Sequence, residues 1–440
     1  MRKIAIILTL AVTTLCTPQA HAQEKLTLDQ LTERLVEVNY KLEITRLEKD
    51  IVANNVTNAQ FMPSLRASAS QSQNIGGAIG NLDHNNPNGW RGTNTLGAGV
   101  SLGWTLFDGL GMFATHDRQK ELLTVSELDL RYDVETMVSE LANEYYMIIS
   151  LMNRVDVARE SMELSQLRYK EVFDKYSIES ASGLELRLAK TDLNADSSNL
   201  IKRLEELDLA YIGMNGKLNY DFSRRGYIKD TIILRGRLSP EDLQDNILET
   251  NTDILLARSG VEIADIDIRL AKAAKYPTLD FGAGYNYSGY DGNNFRGTFA
   301  NSQGINWGFN MSVNIFDGLE AKRRLNNAKI DKLISKVNER NVETSVLGAF
   351  NTLYTNYINN LQLIDFETEN AEASRLNLDV AMLRYRLGDM SGLDFRNIQQ
   401  QYLAAFERKI NVIYQAKASE ISLLRLAGKV VEAVGPVDAE

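Results

Sequence analysis

The sequence predicts a mostly α fold with a transmembrane β-barrel, in which a duplicated unit supplies long coiled-coil helices and four strands per protomer. Three observations carry this. A set of landmarks recurs at a nearly constant offset, long stretches lack proline and glycine and follow a helical seam, and shorter stretches between them alternate apolar and polar residues.

Residues 1–22 read as a secretory leader. Arg2 and Lys3 precede an apolar run from Ile4 to Val12, and Ala20-His21-Ala22 before Gln23 fits an A-x-A cleavage site. Cys16 follows Thr13-Thr14-Leu15, whereas lipid attachment wants small residues before the cysteine, so a plain signal is expected. Cleavage after Ala22 removes the chain's one cysteine, and with it disulfide, thiolate and cysteine-ligand chemistry. The 48 Lys and Arg less the two in the leader leave 46 against 58 Asp and Glu, a balance of −12 that disfavours nucleic acid as a partner. Beyond the leader no apolar run approaches the roughly 18 residues of a spanning helix, so a membrane role falls to strands.

The duplication organises the rest. Phe107-Asp108-Gly109-Leu110 recurs as Phe316-Asp317-Gly318-Leu319, Tyr176 as Tyr385, and Ser182-Gly183-Leu184-Glu185 as Ser391-Gly392-Leu393-Asp394, all at an offset of 209. Upstream, Met62-Pro63-Ser64-Leu65 answers Tyr276-Pro277-Thr278-Leu279, and Asn39 answers Asn251. The expected layout is a first repeat over 23–216 (strand hairpin 62–107, helical hairpin 109–214), an equatorial linker over 217–240, a second repeat over 241–428 (strand hairpin 276–316, helical hairpin 318–427) and a tail over 429–440.

No proline falls within 88–239 or 278–435, and no glycine between Gly111 and Gly183. In that window Met137, Leu141, Tyr145, Ile148, Met152 and Val155 form one apolar seam, matched in the second copy by Val346, Phe350, Tyr354, Tyr357, Leu361 and Ile364. A continuous helix from Gly109 to Tyr176 would run about 100 Å. The strands alternate with period two. Leu96, Ala98, Val100, Leu102, Trp104 and Leu106 interleave with Gly, Ser and Thr, and Ile305, Trp307, Phe309, Met311, Val313 and Ile315 with Asn, Gly and Ser. Their partners are Leu65, Ala67 and Ala69, and Leu279, Phe281, Ala283, Tyr285 and Tyr287, with Gly/Asn-rich tips at Asn74–Asn94 and Gly289–Gly304. A polar face of small neutral residues suits a water-filled lumen, and strands of ten to twelve residues suit a bilayer. Trp104, Trp307, Tyr285 and Tyr287 are expected as an aromatic girdle at the lipid interface, with Trp90 and Tyr290 nearby. Four strands cannot close a barrel, so oligomerisation is required.

Together these residues resemble the TolC-type outer-membrane efflux proteins over nearly the whole mature chain. The paired Asn and Pro-Ser/Thr-Leu segments, the two Phe-Asp-Gly tetrads and the turn Tyr385-Arg386-Leu387-Gly388 through Ser391-Gly392-Leu393-Asp394 carry the resemblance. It implies a homotrimer with a twelve-stranded barrel in the outer membrane and a periplasmic helical tunnel. Such proteins serve as passive exits working with a periplasmic adaptor and an inner-membrane transporter. The turns holding Tyr176, Gly183, Gly388, Ser391 and Gly392 would form the tip and dock the adaptor. Asp394 would ring the constriction with Asn397, Glu185 would latch neighbouring helices, and Tyr385 would hold the aromatic latch position. Met390 stands where a basic latch residue can occur, and Glu179 replaces the glycine that Gly388 supplies, so the first tip is expected to differ in shape.

No catalytic constellation competes. After the leader, His84 and His116 remain and neither has metal-ligand or triad spacing; there is no nucleophile elbow or phosphate-binding glycine loop. No enzyme activity, cofactor or bound metal is expected. The alternative is a secreted helical-bundle adaptor or adhesin whose hairpins form a small soluble sheet.

Overall fold

The structure, a computed structural model, describes residues 27–77, 90–226, 228, 230–292 and 299–434. The leader with Cys16, His84, the outermost hairpin residues and the tail from residue 435 lie outside them. The helices are α1 (Leu28–Val38), α2 (Tyr40–Asn55), α3 (Gly111–Ser177), α4 (Gly183–Lys217), α5 (Pro240–Thr250), α6 (Thr252–Ala273), α7 (Glu320–Leu387), α8 (Gly392–Leu426) and α9 (Val430–Val434). The strands are β1 (Ser64–Gly77), β2 (Trp90–Phe107), β3 (Thr278–Gly292) and β4 (Phe299–Ser312). Two helices, two strands and two long helices thus occur twice in succession. No helix among the described residues is long and apolar enough to cross a membrane. The chain divides into a helical unit (1–44, 132–251, 345–440) and a sheet unit (45–131, 252–344).

In the sheet unit the strands pair antiparallel in the order β1-β2-β3-β4. The register puts Leu65, Leu102, Ala283 and Trp307 in one cross-strand row, and Ala67, Val100, Tyr285 and Ile305 in the next. The opposite face carries Arg66, Ser101, Gly284 and Asn306, then Ser68, Gly99, Asn286 and Gly304. The period-two reading therefore sorts the two faces as the composition suggests. The strands hold 14, 18, 15 and 14 residues, longer than the ten to twelve expected, because pairing continues through the Gly/Asn-rich segments assigned to the tips. β4 also stops at Ser312, short of Phe316, whereas β2 reaches Phe107. β3 begins at Thr278, opposite Ser312, and β4 has no second neighbour among the described strands, so Val313 to Phe316 have none to pair with.

Each Phe-Asp-Gly-Leu tetrad turns strand into helix through two consecutive left-handed residues, Gly109 and Leu110 (φ 73° and 71°) and Gly318 and Leu319 (both 69°). The glycine announces the turn. The leucine does not, and it costs on the order of 1 kcal/mol in each copy. Asp317 accepts from the Ala321 N–H at 2.8 Å, which satisfies one of the open donors at the start of α7.

In the helical unit, α1 begins with a capping box, Thr27 against Gln30, and buries Leu28, Leu31 and Leu35. They join Leu141, Tyr145, Ile148, Met214 and Leu218 in the main core. Five of the six first seam residues are buried and Met152 is partly so; in the second copy Tyr354, Leu361 and Ile364 stay half-buried within one chain. The duplicated asparagines have one task. Asn39, between α1 and α2, donates to the Lys217 carbonyl at 3.0 Å, and Asn251, between α5 and α6, to the Leu426 carbonyl at 3.0 Å. Each ties a short-helix junction to the otherwise open C-terminus of a long helix.

Between α4 and α5 the described residues from 220 to 239 form neither helix nor strand. Side chains satisfy this strap's backbone: Tyr211 donates to Gly226 O (3.1 Å), Tyr357 to Gly236 O (2.5 Å), Tyr354 to Leu238 O (3.2 Å) and Lys417 to Ile233 O (2.9 Å). Tyr145 donates to the Asp230 carboxylate, and buried Lys417 pairs with buried Glu420 at 2.7 Å.

Burial pushes the phenols of Tyr145, Tyr146, Tyr211, Tyr385, Tyr402 and Tyr414 above their ordinary range, and that of Tyr357 to about 12. Raised folded-state values mean that the stability they contribute is complete below the unfolded value near pH ~10 and is lost as pH climbs through the folded values. A spectrophotometric titration of the detergent-solubilised protein should show a first, ordinary tyrosine phase and a second phase above about pH 11 that coincides with loss of helical circular dichroism. A single ordinary phase with the helices intact would contradict this burial.

Candidate functional site

The residues singled out by the duplication converge, in the helical unit, on two turns that close the long helical hairpins. Both turns have the same backbone. Ser180 N–H reaches Lys175 O (2.8 Å) with Glu179 N–H on Tyr176 O (3.0 Å), and Asp389 N–H reaches Arg384 O (2.9 Å) with Gly388 N–H on Tyr385 O (3.0 Å). This is a Schellman ending with its left-handed residue at Glu179 (φ 61°) and Gly388 (φ 78°). The expectation that Glu179 would give the first tip a different shape is therefore corrected: the hydrogen bonds hold Glu179 left-handed.

Each return helix then starts on a serine cap. Ser182 Oγ accepts from Glu185 N–H at 3.2 Å, and Ser391 Oγ from Asp394 N–H at 3.1 Å, with Ser391 O–H donating back to the Asp394 carboxylate at 2.7 Å. Glu185 and Asp394 thus stand in the first helical turn, where the macrodipole favours a carboxylate. Asp394 and Asn397 are exposed, Glu185 half-exposed and Tyr176 exposed. Tyr385 is buried, 3% exposed, stacked on Phe395 at 5.3 Å between ring centroids, with Lys175 Nζ 5.5 Å from its ring. It packs inside the protomer with Val172, Ala189, Ala381 and Tyr402. Gly183 has ordinary room beside it, whereas a Cβ at Gly392 would lie 2.9 Å from Arg168 Nη2. The girdle candidates belong to the sheet unit. Trp104, Trp307, Tyr285 and Tyr287 share its apolar face; Trp104 Nε1 donates to Phe61 O (2.9 Å) and Tyr285 O–H to Gln303 (3.0 Å).

Behind the turns lies a buried polar cluster that pattern reading missed. Arg396 on α8 grips Asp196 on α4 with two bonds, 2.6 and 2.8 Å, which raise its pKa further. Ser165 on α3 donates to the same carboxylate at 2.5 Å. Gln399, fully buried, donates to Ser161 O and Oγ, both at 3.0 Å. Arg168, 4% exposed, pairs with Asp192 at 2.7 Å and lies over Gly392. Tyr402 donates to Glu160 at 2.5 Å, and Arg375 pairs with Glu160 at 3.3 Å. The cluster joins α3 and α4 to α8. One signal for it was present: the seam of α3 continues beyond Val155 through Ala158, Ser161, Ser165, Arg168 and Val172, all buried, so the buried line turns polar at this level. The described residues hold no group of His, Cys, Asp and Glu arranged to bind a metal.

Long paired helices and one four-stranded antiparallel sheet are the fold of solved outer-membrane channels. The structure of the CmeC outer membrane channel of Campylobacter jejuni superposes with a TM-score of 0.77 at 17% identity, covering 92% of this chain and 86% of that one. The family model described as outer membrane efflux protein matches residues 243–429. A probable outer membrane lipoprotein of Salmonella typhimurium, SilC, is 24% identical over 85% of this chain and 79% of its own. The cation efflux system protein CusC of Escherichia coli K12 is 24% identical over the same shares. Over residues 243–429 the chain is thus similar to the outer membrane efflux proteins.

Proposed function

We propose that this chain is one of three identical protomers of a passive exit duct, a twelve-stranded barrel continued by a helical tunnel. A periplasmic adaptor and an inner-membrane transporter deliver its cargo. The observation that carries this reading is the sheet. Its outer strands β1 and β4 each lack a second partner among the described residues, and its apolar face is bare, with Leu65, Trp307, Phe309 and Met311 exposed. Unpaired edges are not tolerated in lipid, so copies of the sheet must pair until the barrel closes. On α7 the stripe Ile330, Leu333, Ile334 and Val337 is likewise uncovered within one chain and offers a coiled-coil seam to a neighbour.

In this reading the turns at Tyr176–Gly183 and Gly388–Gly392 meet the adaptor, and three copies of Asp394, exposed beside Asn397, ring the tip. Like charges near one axis repel and draw cations. Buried Tyr385 acts by holding α7 on α8, and the domain bounds follow the duplicated elements.

The test is single-channel conductance of the detergent-purified protein in a planar bilayer. Discrete openings blocked by a divalent cation, with block weakened about tenfold or more in Asp394→Ala, are the expected result. Absence of channels from folded protein would favour the secreted helical-bundle reading.

A further inference from the structure

The polar face of the sheet is nearly free of charge. Among the strand residues whose side chains are described, Arg66 and Asp280 alone are ionised. Asp280 accepts from Thr105 Oγ1 at 2.8 Å. Arg66 is exposed and makes no hydrogen bond or ion pair with the described residues. Its own row holds Ser101, Gly284 and Asn306, and the row on one side holds Ser64, Gly103, Gly282 and Gly308. A Cβ added at Gly282 or Gly308 would meet nothing within 4 Å. Neither of these rows therefore carries a long side chain to cover the guanidinium. Asp280 lies four residues along β3 from the Arg66 row and two strands across, about 13 Å by 10 Å from strand spacings. That is well beyond the roughly 8 Å screening length at physiological salt, so Asp280 does not neutralise Arg66.

We propose that Arg66 makes the barrel section of the duct a binding station for multivalent oxyanions, solutes bearing phosphate or several carboxylates. The inference rests on the trimeric duct reading, which sets three copies of Arg66 at one height on a lumen wall whose other described charge, Asp280, lies beyond the screening length. A guanidinium is permanently charged and presents five donors in a planar fork that matches such oxyanions. Small neighbours leave that fork free to reach into the bore.

The experiment uses the full-length protein in planar bilayers in about 0.1 M potassium chloride, where screening still lets a fixed charge act over ~10 Å. Inorganic pyrophosphate is added to each side in turn. Pyrophosphate should lower the wild-type current. Its half-blocking concentration should rise about tenfold in Arg66→Gln, the loss expected for one charge-assisted contact. Ser101→Asp should behave like Arg66→Gln, because it sets a carboxylate directly across the strand pair from Arg66. Arg66→Lys should retain most of the effect. Channels that respond to pyrophosphate equally in wild type, Arg66→Gln and Ser101→Asp would overturn the inference and leave the duct standing. No channels from folded wild type would overturn both.

Discussion

Replacing Asp196 by alanine is expected to destabilise the helical unit by about 3–5 kcal/mol, the range found when one partner of a buried ion pair is removed. Asp196 and Arg396 expose 6% and 12% of their side chains, so solvent can do little to compensate. The loss is not confined to one bond. Ser165 would lose its acceptor, and Arg396 would keep Asp192 as its one carboxylate, at 3.7 Å, beside the Gln399 amide oxygen at 3.1 Å. The cluster links three helices just behind both turns, so the tip should loosen first. Hydrogen exchange in detergent should show the amides of residues 175–186 and 384–399 opening far more in Asp196→Ala, with the strands unaffected. Replacing both partners, Asp196→Leu with Arg396→Met, should recover much of the loss, because a matched apolar pair has no charge to leave stranded. A change below about 1 kcal/mol in the single variant would show that the cluster contributes little. If the duct reading holds, the single variant should also open more often in bilayers, since α8 carries Asp394.

Sequence patterns revealed the architecture where structure repeats. The absence of Pro and Gly marks α3 and α7, alternation sorts the sheet faces, and the offset of 209 pairs the two tips down to their serine caps. The paired Asn39 and Asn251 were visible as a repeat, but their use was not, because a hydrogen bond across 178 or 175 residues leaves no local trace. The same holds for Arg396 and Asp196, 200 residues apart. The packing of Tyr385 on Phe395 was not legible either, since aromatic identity does not say which face of a helix meets its neighbours. Strand ends were misjudged for a different reason. Gly and Asn favour turns, yet pairing continues through them up to Gly77 and Gly292, where ladder hydrogen bonds outweigh local preference.

The duplicated glycines Gly109 and Gly318 give the other large effect, and they should differ. Both are left-handed, at φ 73° and 69°, so alanine at either carries a conformational penalty of about 1 kcal/mol. At Gly318 nothing lies within 4 Å of the added Cβ, and the penalty should end there. At Gly109 the Cβ would sit 2.8 Å from Tyr276 Cβ and inside contact distance of the Ala273 carbonyl oxygen. That oxygen already accepts from Tyr276 N–H at 3.0 Å as α6 ends, so neither the backbone nor the base of a side chain can swing aside. The strand-to-helix turn of the first copy must then move away from α6. The expected loss is about 3 kcal/mol or more, typical of strain at a position where only glycine fits. Paired measurements of thermal unfolding and of amide exchange in residues 100–120 and 265–280 would read it. Gly109→Ala should unfold several degrees earlier and lose protection there, whereas Gly318→Ala should stay near wild type. Equal losses at the two sites would defeat the steric account, since backbone conformation alone predicts the same effect in both copies.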